Sequence, residues 1–181
     1  MAYRFPLRDA PDPTGRDAVE QSITNQWKGY PQFPLIEDDK QAMLGHLAPL
    51  SYTPEVARGY FQLGKTNFRH VKSRNRQLAI MALISILDIP YMAYCHYRLS
   101  QAVGFTDQQC KDALAGKLPQ GLSDAEISVY GLGKVFTTLA KPLNDATWQE
   151  FASKIDKPEI IGITHIIGGY KSVAPWSFWG T

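Results

Sequence analysis

The segment LAIMALISIL, residues 78–87, restricts the possible folds more than any other part of the sequence. Apolar side chains occupy almost every position, so a helix formed here is apolar all round and has to be covered by other elements. Its ten residues are about half of the ~20 that spanning a bilayer requires. We therefore expect a helix over residues 75–87 at the centre of a soluble domain.

Helix start and stop signals lie on both sides of this segment, and no stretch shows a sustained two-residue alternation of polar and apolar side chains. The pattern predicts an all-α fold, a bundle of about eight helices with short connections. We expect the helices near residues 17–27, 37–47, 54–68, 75–87, 90–103, 106–116, 123–142, 144–154 and 158–174.

The first 34 residues differ from the rest because they are rich in proline and show little periodicity. We predict an extended N-terminal arm over residues 1–34, with one short helix around residues 17–27, and a single helical domain over residues 35–181. Such an arm can wrap its own domain. It can also exchange with a neighbouring subunit, which would favour a dimer.

Charge and cysteine content exclude several classes of protein. The net charge is only +2, and the one dense basic cluster, residues 69–76, lacks interleaved aromatic residues and precedes an apolar helix. It is therefore interpreted as a solvated helix start, with no nucleic acid as partner. Two cysteines without CxxC spacing are interpreted as free thiols. The N-terminus has no apolar run typical of a signal peptide, so we expect a cytoplasmic protein with no membrane partner.

A histidine interrupts an apolar stripe of the predicted helix 90–103. His96 shares a helical face with Met92, Leu99 and Val103. A lone histidine on such a face is most often a core residue whose nitrogens are satisfied by a carbonyl and a hydroxyl. The alternative is a general acid or base, because burial lowers the pKa of an imidazole and keeps it neutral.

Several groups that can bind or move a proton are close to His96 in sequence. We predict Tyr91 as a further catalytic residue, and Met92, Tyr94 and Ser100 as substrate-binding residues. A nucleophilic pair with the adjacent Cys95 is disfavoured because neighbouring helical side chains point about 100° apart.

The end of the chain supplies a second candidate set: His165, Gly169 and Trp176. Small residues on the last helix either let two helices approach closely or leave room for a ligand. The aromatic tail either packs onto a neighbour or lines an apolar pocket. We predict these three as substrate-binding residues and assign no role to His46. No metal is expected, because no histidine or carboxylate set has the spacing of metal ligands.

Five features follow one another in a fixed order. They are the helix RNRQLAIMALISILDIPY at 74–91, Tyr91 and His96 five residues apart, Gly104 eight residues after the histidine, SDAE at 123–126, and EIIGITHIIGGY at 159–170. In this order and spacing the chain, from about residue 35, resembles the carboxymuconolactone decarboxylase and alkylhydroperoxidase-D-like superfamily. The resemblance implies a helical fold and a homo-oligomer, commonly a trimer or hexamer.

The sequence also departs from that superfamily. Ile89 and Met92 occupy the places of the CxxC pair of its peroxidase branch, so thiol peroxidase activity is disfavoured. Gln77 stands where the family has a glutamate nineteen residues before the histidine. If Gln77 meets His96, its amide would fix the imidazole tautomer and leave the other nitrogen facing a cavity.

These observations favour a cofactor-independent enzyme of the decarboxylase-like kind. We expect it to act on a mostly apolar, oxygenated small molecule, with His96 as general acid or base and Gln77 as its partner. Decarboxylation, isomerisation, lactone chemistry and cyclisation all remain open. The alternative is a non-catalytic ligand-binding or assembly protein that keeps the same scaffold.

Overall fold

The computed structural model describes residues 15–27, 33–37 and 42–176 of the 181-residue chain. Within these ranges it contains nine α-helices, one short 3-10 helix and a pair of two-residue strands, which confirms the predicted all-α bundle. The elements are α1 (Gly15–Trp27), β1 (Ile36–Glu37), β2 (Ala42–Met43), α2 (Leu47–Leu50), α3 (Pro54–Asn67), α4 (Ser73–Leu87), α5 (Pro90–Ala102), α6 (Asp107–Leu114), α7 (Asp124–Thr138), α8 (Asp145–Ala152), α9 (Lys157–Val173) and the 3-10 helix (Ala174–Trp176).

Helix α4 forms the centre of the bundle, as its composition predicted. Each residue from Leu78 to Ile84 is at most 3% exposed, and the helix packs against α5, α6, α7 and α9. Gly133 on α7 allows the closest approach, because a Cβ atom there would lie 2.9 Å from the carbonyl oxygen of Ala79. None of the helices in the described ranges is long and apolar enough to span a bilayer.

Side-chain caps mark the starts of the four helices from α6 to α9. Thr106 with Gln109, and Ser123 with Glu126, form the reciprocal hydrogen bonds of a capping box at α6 and α7. Asn144 is the N-cap residue of α8, and its side chain accepts a hydrogen bond from the backbone N–H of Thr147. Thr53 occupies the N-cap position of α3 and is followed by a proline in the first turn, but its side chain makes no capping hydrogen bond.

The helix predicted over residues 37–47 is wrong. Strands β1 and β2 pair in antiparallel fashion in this region, and only the short α2 follows. Residues 38–41 lie outside the described ranges. Gly45 has a φ of +57°, and a Cβ atom there would lie 2.1 Å from Cδ1 of Tyr91. The left-handed turn at Gly45 therefore ends any regular helix and brings the backbone against the tyrosine ring.

Helix α1 confirms the short helix predicted within the arm. It packs against α3 and buries Ala18, Val19 and Ile23. This part of the proline-rich region therefore contributes to the core of the bundle. The domain boundary at residue 34 stays a prediction.

Candidate functional site

A cavity of about 90 Å³ lies between α1, α3, α4, α5 and α9 and is also lined by Phe33, Leu35, His46 and Leu47. Most of its wall is apolar, with contributions from Ile23, Leu35, Phe61, Ile80, Met92 and Ile166. Polar groups come from Gln26, His46, Tyr60, Asn67, Tyr91, His96 and Tyr170. Apolar walls with a few convergent polar groups are typical of sites for small organic molecules.

His96 connects two other helices through hydrogen bonds on both ring nitrogens. Its Nδ1 lies 2.8 Å from Oε1 of Gln77 on α4, and its Nε2 lies 2.8 Å from the hydroxyl of Tyr170 on α9. Because a carbonyl oxygen only accepts, Nδ1 carries the hydrogen, and Nε2 of the neutral ring accepts from the tyrosine. The second nitrogen therefore faces Tyr170, where the sequence predicted a cavity.

Tyr170 was missed by the sequence analysis. It continues the buried face of α9 after Ile163 and Ile167, at spacings of four and three residues. An aromatic residue on such a stripe indicates core packing, so its sequence position carried no functional signal. Tyr170 lines the cavity, and burial raises the pKa of its hydroxyl well above the ordinary value of 10.0.

The imidazole of His96 is held in its neutral form. Burial is the largest cause, and the positive charges that His46 and Arg76 can carry act in the same direction, so the pKa falls from 6.5 to about 3. The predicted direction is confirmed. An imidazole with so low a pKa is a weak base near neutral pH, because a general base is most efficient when its pKa lies near the operating pH.

His46 belongs to the cavity although its sequence surroundings suggested no role. The centroids of the Tyr60, Tyr91 and Tyr170 rings lie 6.4, 6.4 and 6.3 Å from that of His46. Burial lowers its pKa to about 4, so this imidazole is also neutral. Three aromatic rings drawn from three helices thus enclose a second histidine next to the Tyr170–His96 pair.

Unpaired polar atoms concentrate around this cavity. Within the described ranges, the buried side-chain atoms without a hydrogen-bond partner are Gln26 Oε1, His46 Nδ1, Asn67 Nδ2 and Arg76 Nε. The first three residues line the cavity, and the guanidinium of Arg76 stacks 3.8 Å above the ring of Phe68, which also lines it. A buried unpaired polar group costs about 1–3 kcal/mol. A bound molecule with complementary polar groups would offset that cost.

Four further candidates from the sequence also line the cavity: Tyr91, Met92, His165 and Gly169. The Tyr91 hydroxyl donates to the carbonyl oxygen of Pro34 at 3.0 Å and so ties residues 33–35 to α5. His165 is exposed and lies at the rim. Gly169 lies beside Tyr60, whose Cε2 would be 3.5 Å from an added Cβ atom.

Three predicted binding residues do not line the cavity. Tyr94 is two positions from Met92, about 200° round the helix, and the Arg98 guanidinium stacks 3.7 Å above its ring. Ser100 is buried against α4, where its hydroxyl donates to Sδ of Met81 at 3.3 Å. Trp176 is exposed on the 3-10 helix after α9.

The cysteines do not favour thiol chemistry. Cys95 lines the cavity, but burial raises the pKa of its thiol to about 12, and a nucleophilic or peroxide-reducing cysteine needs the thiolate. Cys110 is buried between α5 and α6, and its thiol faces the carbonyl oxygen of Tyr97. In the part of the chain that the structure covers, no group of three or more histidine, cysteine or acidic residues is placed to hold a metal ion.

The chain matches no family model and no curated protein sequence. Two solved structures share its fold, both of the debrominase Bmp8. The apo form is 16% identical, with a TM-score of 0.66 over 96% of this chain and 89% of the other. A cysteine-to-alanine variant in complex with 2,3,4-tribromopyrrole is also 16% identical, with a TM-score of 0.69 over 100% and 93%. At this identity the similarity establishes a common helical fold.

Proposed function

We propose that the protein is an enzyme that transfers a proton to or from a small, mostly apolar, oxygenated molecule bound in this cavity. His96 and Tyr170 carry the proton, Gln77 holds the imidazole in place, and the reaction needs no redox cofactor. The observation behind the proposal is the unbroken series of two 2.8 Å hydrogen bonds that ends at the wall of an apolar cavity. The alternative, a structural core histidine whose two nitrogens are hydrogen-bonded to a carbonyl and a hydroxyl, does not explain the cavity beside it.

The direction of these hydrogen bonds sets the order of proton movement. The Tyr170 hydroxyl gives its hydrogen to His96 Nε2, so its oxygen can accept a proton from the bound molecule. When the Tyr170 oxygen accepts this proton, the original hydroxyl proton of Tyr170 passes to Nε2 of His96, while Gln77 keeps the Nδ1 hydrogen in place. Reversal returns the proton to another atom of the same molecule. Such a transfer serves isomerisation, lactone chemistry, cyclisation or the protonation that completes a decarboxylation.

The comparison with Bmp8 supports a site for small ring compounds on this fold. That protein is a debrominase, and one of its structures contains a tribromopyrrole. A cysteine-dependent reaction is not proposed for the present chain because burial disfavours the Cys95 thiolate.

A specific observation favours a second function, the non-catalytic binding of the same kind of molecule. With a pKa of about 3, His96 is a weak base. If no bound molecule raises that pKa, the cavity binds without turning over. The two functions differ in whether the Tyr170 hydroxyl affects a rate or only an affinity.

The experiment begins with native mass spectrometry of the protein from its source, to identify a co-purifying small molecule. Turnover of that molecule is then compared in the wild type and in Tyr170→Phe. We expect the variant to lose about 10²–10⁴-fold in kcat, the usual range for one acid–base group. Its free energy of unfolding should change by only about 1 kcal/mol, the net contribution of one hydrogen bond.

Tyr130→Phe is the matched control. The Tyr130 hydroxyl is also buried and donates to a carbonyl oxygen, that of Ala113, at 2.7 Å, but the residue does not line the cavity. Equal rates in both variants would contradict the enzymatic proposal. Unchanged rates with weakened binding only in Tyr170→Phe would favour the binding protein.

The proposal also includes a cytoplasmic homo-oligomer of the decarboxylase-like superfamily. Exposed apolar side chains on the outer faces of α3 and α9 support self-association: Val56 is 61% exposed and Ile161 52%. Native mass spectrometry gives the subunit number directly, and a monomer at micromolar concentration would contradict this part.

A further inference from the structure

Arg76 is a half-buried cation that has no acidic partner among the described residues. It lies on α4 next to Gln77, its Nε is buried without a hydrogen bond, and its guanidinium stacks on Phe68. None of the ion pairs between described residues includes it. Arg74, two positions earlier, pairs with Glu126 at 2.8 Å. The cluster does start α4, as the sequence predicted, but the Arg76 side chain is half-buried and not fully solvated.

The neighbouring cavity offers this cation no counter-charge. No aspartate, glutamate, lysine or arginine contributes to the described wall. Burial keeps the histidines His46 and His96 and the phenol of Tyr170 neutral. Arg76 lies directly behind this wall, because its guanidinium stacks 3.8 Å above the ring of Phe68, which lines the cavity. In agreement with this position, its charge lowers the pKa of His96 and favours the ionised form of Tyr170. The cavity is thus a region of positive potential enclosed by apolar groups, in which electrostatic interactions are strong.

We propose that the natural ligand of this cavity is a small organic acid whose carboxylate, or other oxyanion, pairs with Arg76. Asn67 Nδ2, an unpaired donor of a lining residue, supplies a second hydrogen bond to the anion, while the apolar body of the acid packs against Phe61 and Ile80. This inference rests on the proposed function, since it assigns the ligand of the same cavity. It excludes cationic ligands and disfavours neutral ones.

The size of the cavity limits the apolar body. At about 90 Å³ it is smaller than the ~150 Å³ of an engineered cavity that binds benzene. A single ring therefore fits only with an outward shift of wall side chains. Leu63, which is 44% exposed, and the half-buried Phe68 are placed to make that shift.

An unpaired acceptor on α1 indicates a second substituent. Gln26 Oε1 has no donor among the described residues. A hydroxyl group on the ligand would donate to it and would also supply the oxygenated position that the proposed chemistry requires. A hydroxy acid satisfies the unpaired donors and this acceptor together.

The test compares three probes of nearly the same shape and different charge: benzoate, benzamide and benzamidine. Binding to the wild-type protein near neutral pH is measured by isothermal titration calorimetry and by the thermal shift. We expect benzoate to bind at least about tenfold more tightly than benzamide, because a charge-assisted hydrogen bond is about twice as strong as a neutral one. We expect no binding of benzamidine.

Arg76→Met should abolish the preference for benzoate, and Arg76→Lys, which keeps the charge, should retain part of it. Arg74→Met is the matched control, since Arg74 lies on the same helix but already has an acidic partner, and its benzoate affinity should equal that of the wild type. Circular dichroism verifies that each variant is folded. Arg76→Lys alone remains decisive if Arg76→Met does not fold.

The inference is overturned if benzamide or benzamidine binds as tightly as benzoate, if Arg76→Met keeps the preference, or if none of the three probes binds. Failure of the inference and failure of the proposed function are distinguishable. Turnover that depends on Tyr170 with a neutral ligand would refute the acid and leave the enzyme. Benzoate binding that depends on Arg76, without any turnover that depends on Tyr170, would refute the enzyme and leave the organic acid as ligand.

Discussion

Replacing Gln77 by glutamate tests how the cavity controls its histidine. Oε1 of Gln77 accepts the Nδ1 hydrogen of His96 at 2.8 Å. Glutamate has nearly the same shape and places a charged oxygen at the same position. Since a nearby negative charge favours the imidazolium form, the substitution should raise the pKa of His96 from its present value of about 3.

The expected size of this effect follows from two numbers. The fall from 6.5 to about 3 corresponds to about 5 kcal/mol against the charged ring, at 1.36 kcal/mol for each tenfold change. Opposite unit charges about 4 Å apart attract by ~4 kcal/mol at an effective dielectric constant near 20. The carboxylate therefore offsets most of the penalty, and the pKa of His96 should return towards the neutral range. A stronger base follows from the same change.

The assay is an NMR titration of the imidazole Cε1–H signals, with His96 assigned by its absence in His96→Phe. Gln109→Glu is the control, because it introduces the same charge at the exposed capping box of α6. The prediction is a His96 midpoint that rises only in Gln77→Glu. If the new carboxyl group takes up the proton itself, the His96 midpoint stays that of the wild type. This result would refute the claim that a charge at position 77 controls the pKa of His96.

Two further predictions concern stability. Gly45→Ala should destabilise the fold by more than about 2 kcal/mol, because it combines a left-handed backbone with a Cβ atom 2.1 Å from the Tyr91 ring. Gly59→Ala, in a helix with open space around the site, should stabilise by about 0.5–1 kcal/mol. Chemical denaturation measures both, and equal effects would contradict the packing described. Stability should also fall as pH drops from 6.5 towards 4, since the unfolded chain then binds protons at His46 and His96 that the folded chain excludes. His96→Phe should reduce that slope, and an unchanged slope would contradict the lowered pKa.

The parts of the fold that were predictable are those specified by local sequence. The apolar run from residue 78 required a covered helix, and Ser123 with Glu126 marked the start of α7 within one residue. The segment around Gly45 was not predictable in this way. Its left-handed turn packs against Tyr91, a residue distant in sequence, and its apolar spacing favoured a helix.

In the candidate site, too, only the residues with a local sequence signal were predictable. His96 was conspicuous because a polar residue interrupted an apolar stripe, and Gln77 followed from the family spacing. Tyr170 and His46 gave no such signal. An aromatic residue on a buried helical face is usually a core residue, and the cavity that gives these two residues their significance forms only where five helices meet. Unpaired atoms such as Asn67 Nδ2 are visible only after packing.

The central claim is that this cavity is the place where a small molecule binds, and two adjacent glycines of α9 test it most directly. Gly169 lines the cavity, whereas Gly168 is exposed with open space around it. Gly169→Leu should fill the cavity, and Gly168→Leu adds the same side chain to solvent. The measurement is the occupancy of the co-purified ligand, or of benzoate, in each folded variant by native mass spectrometry. The account predicts full occupancy in the wild type and Gly168→Leu and none in Gly169→Leu. Occupancy that survives in Gly169→Leu would contradict it.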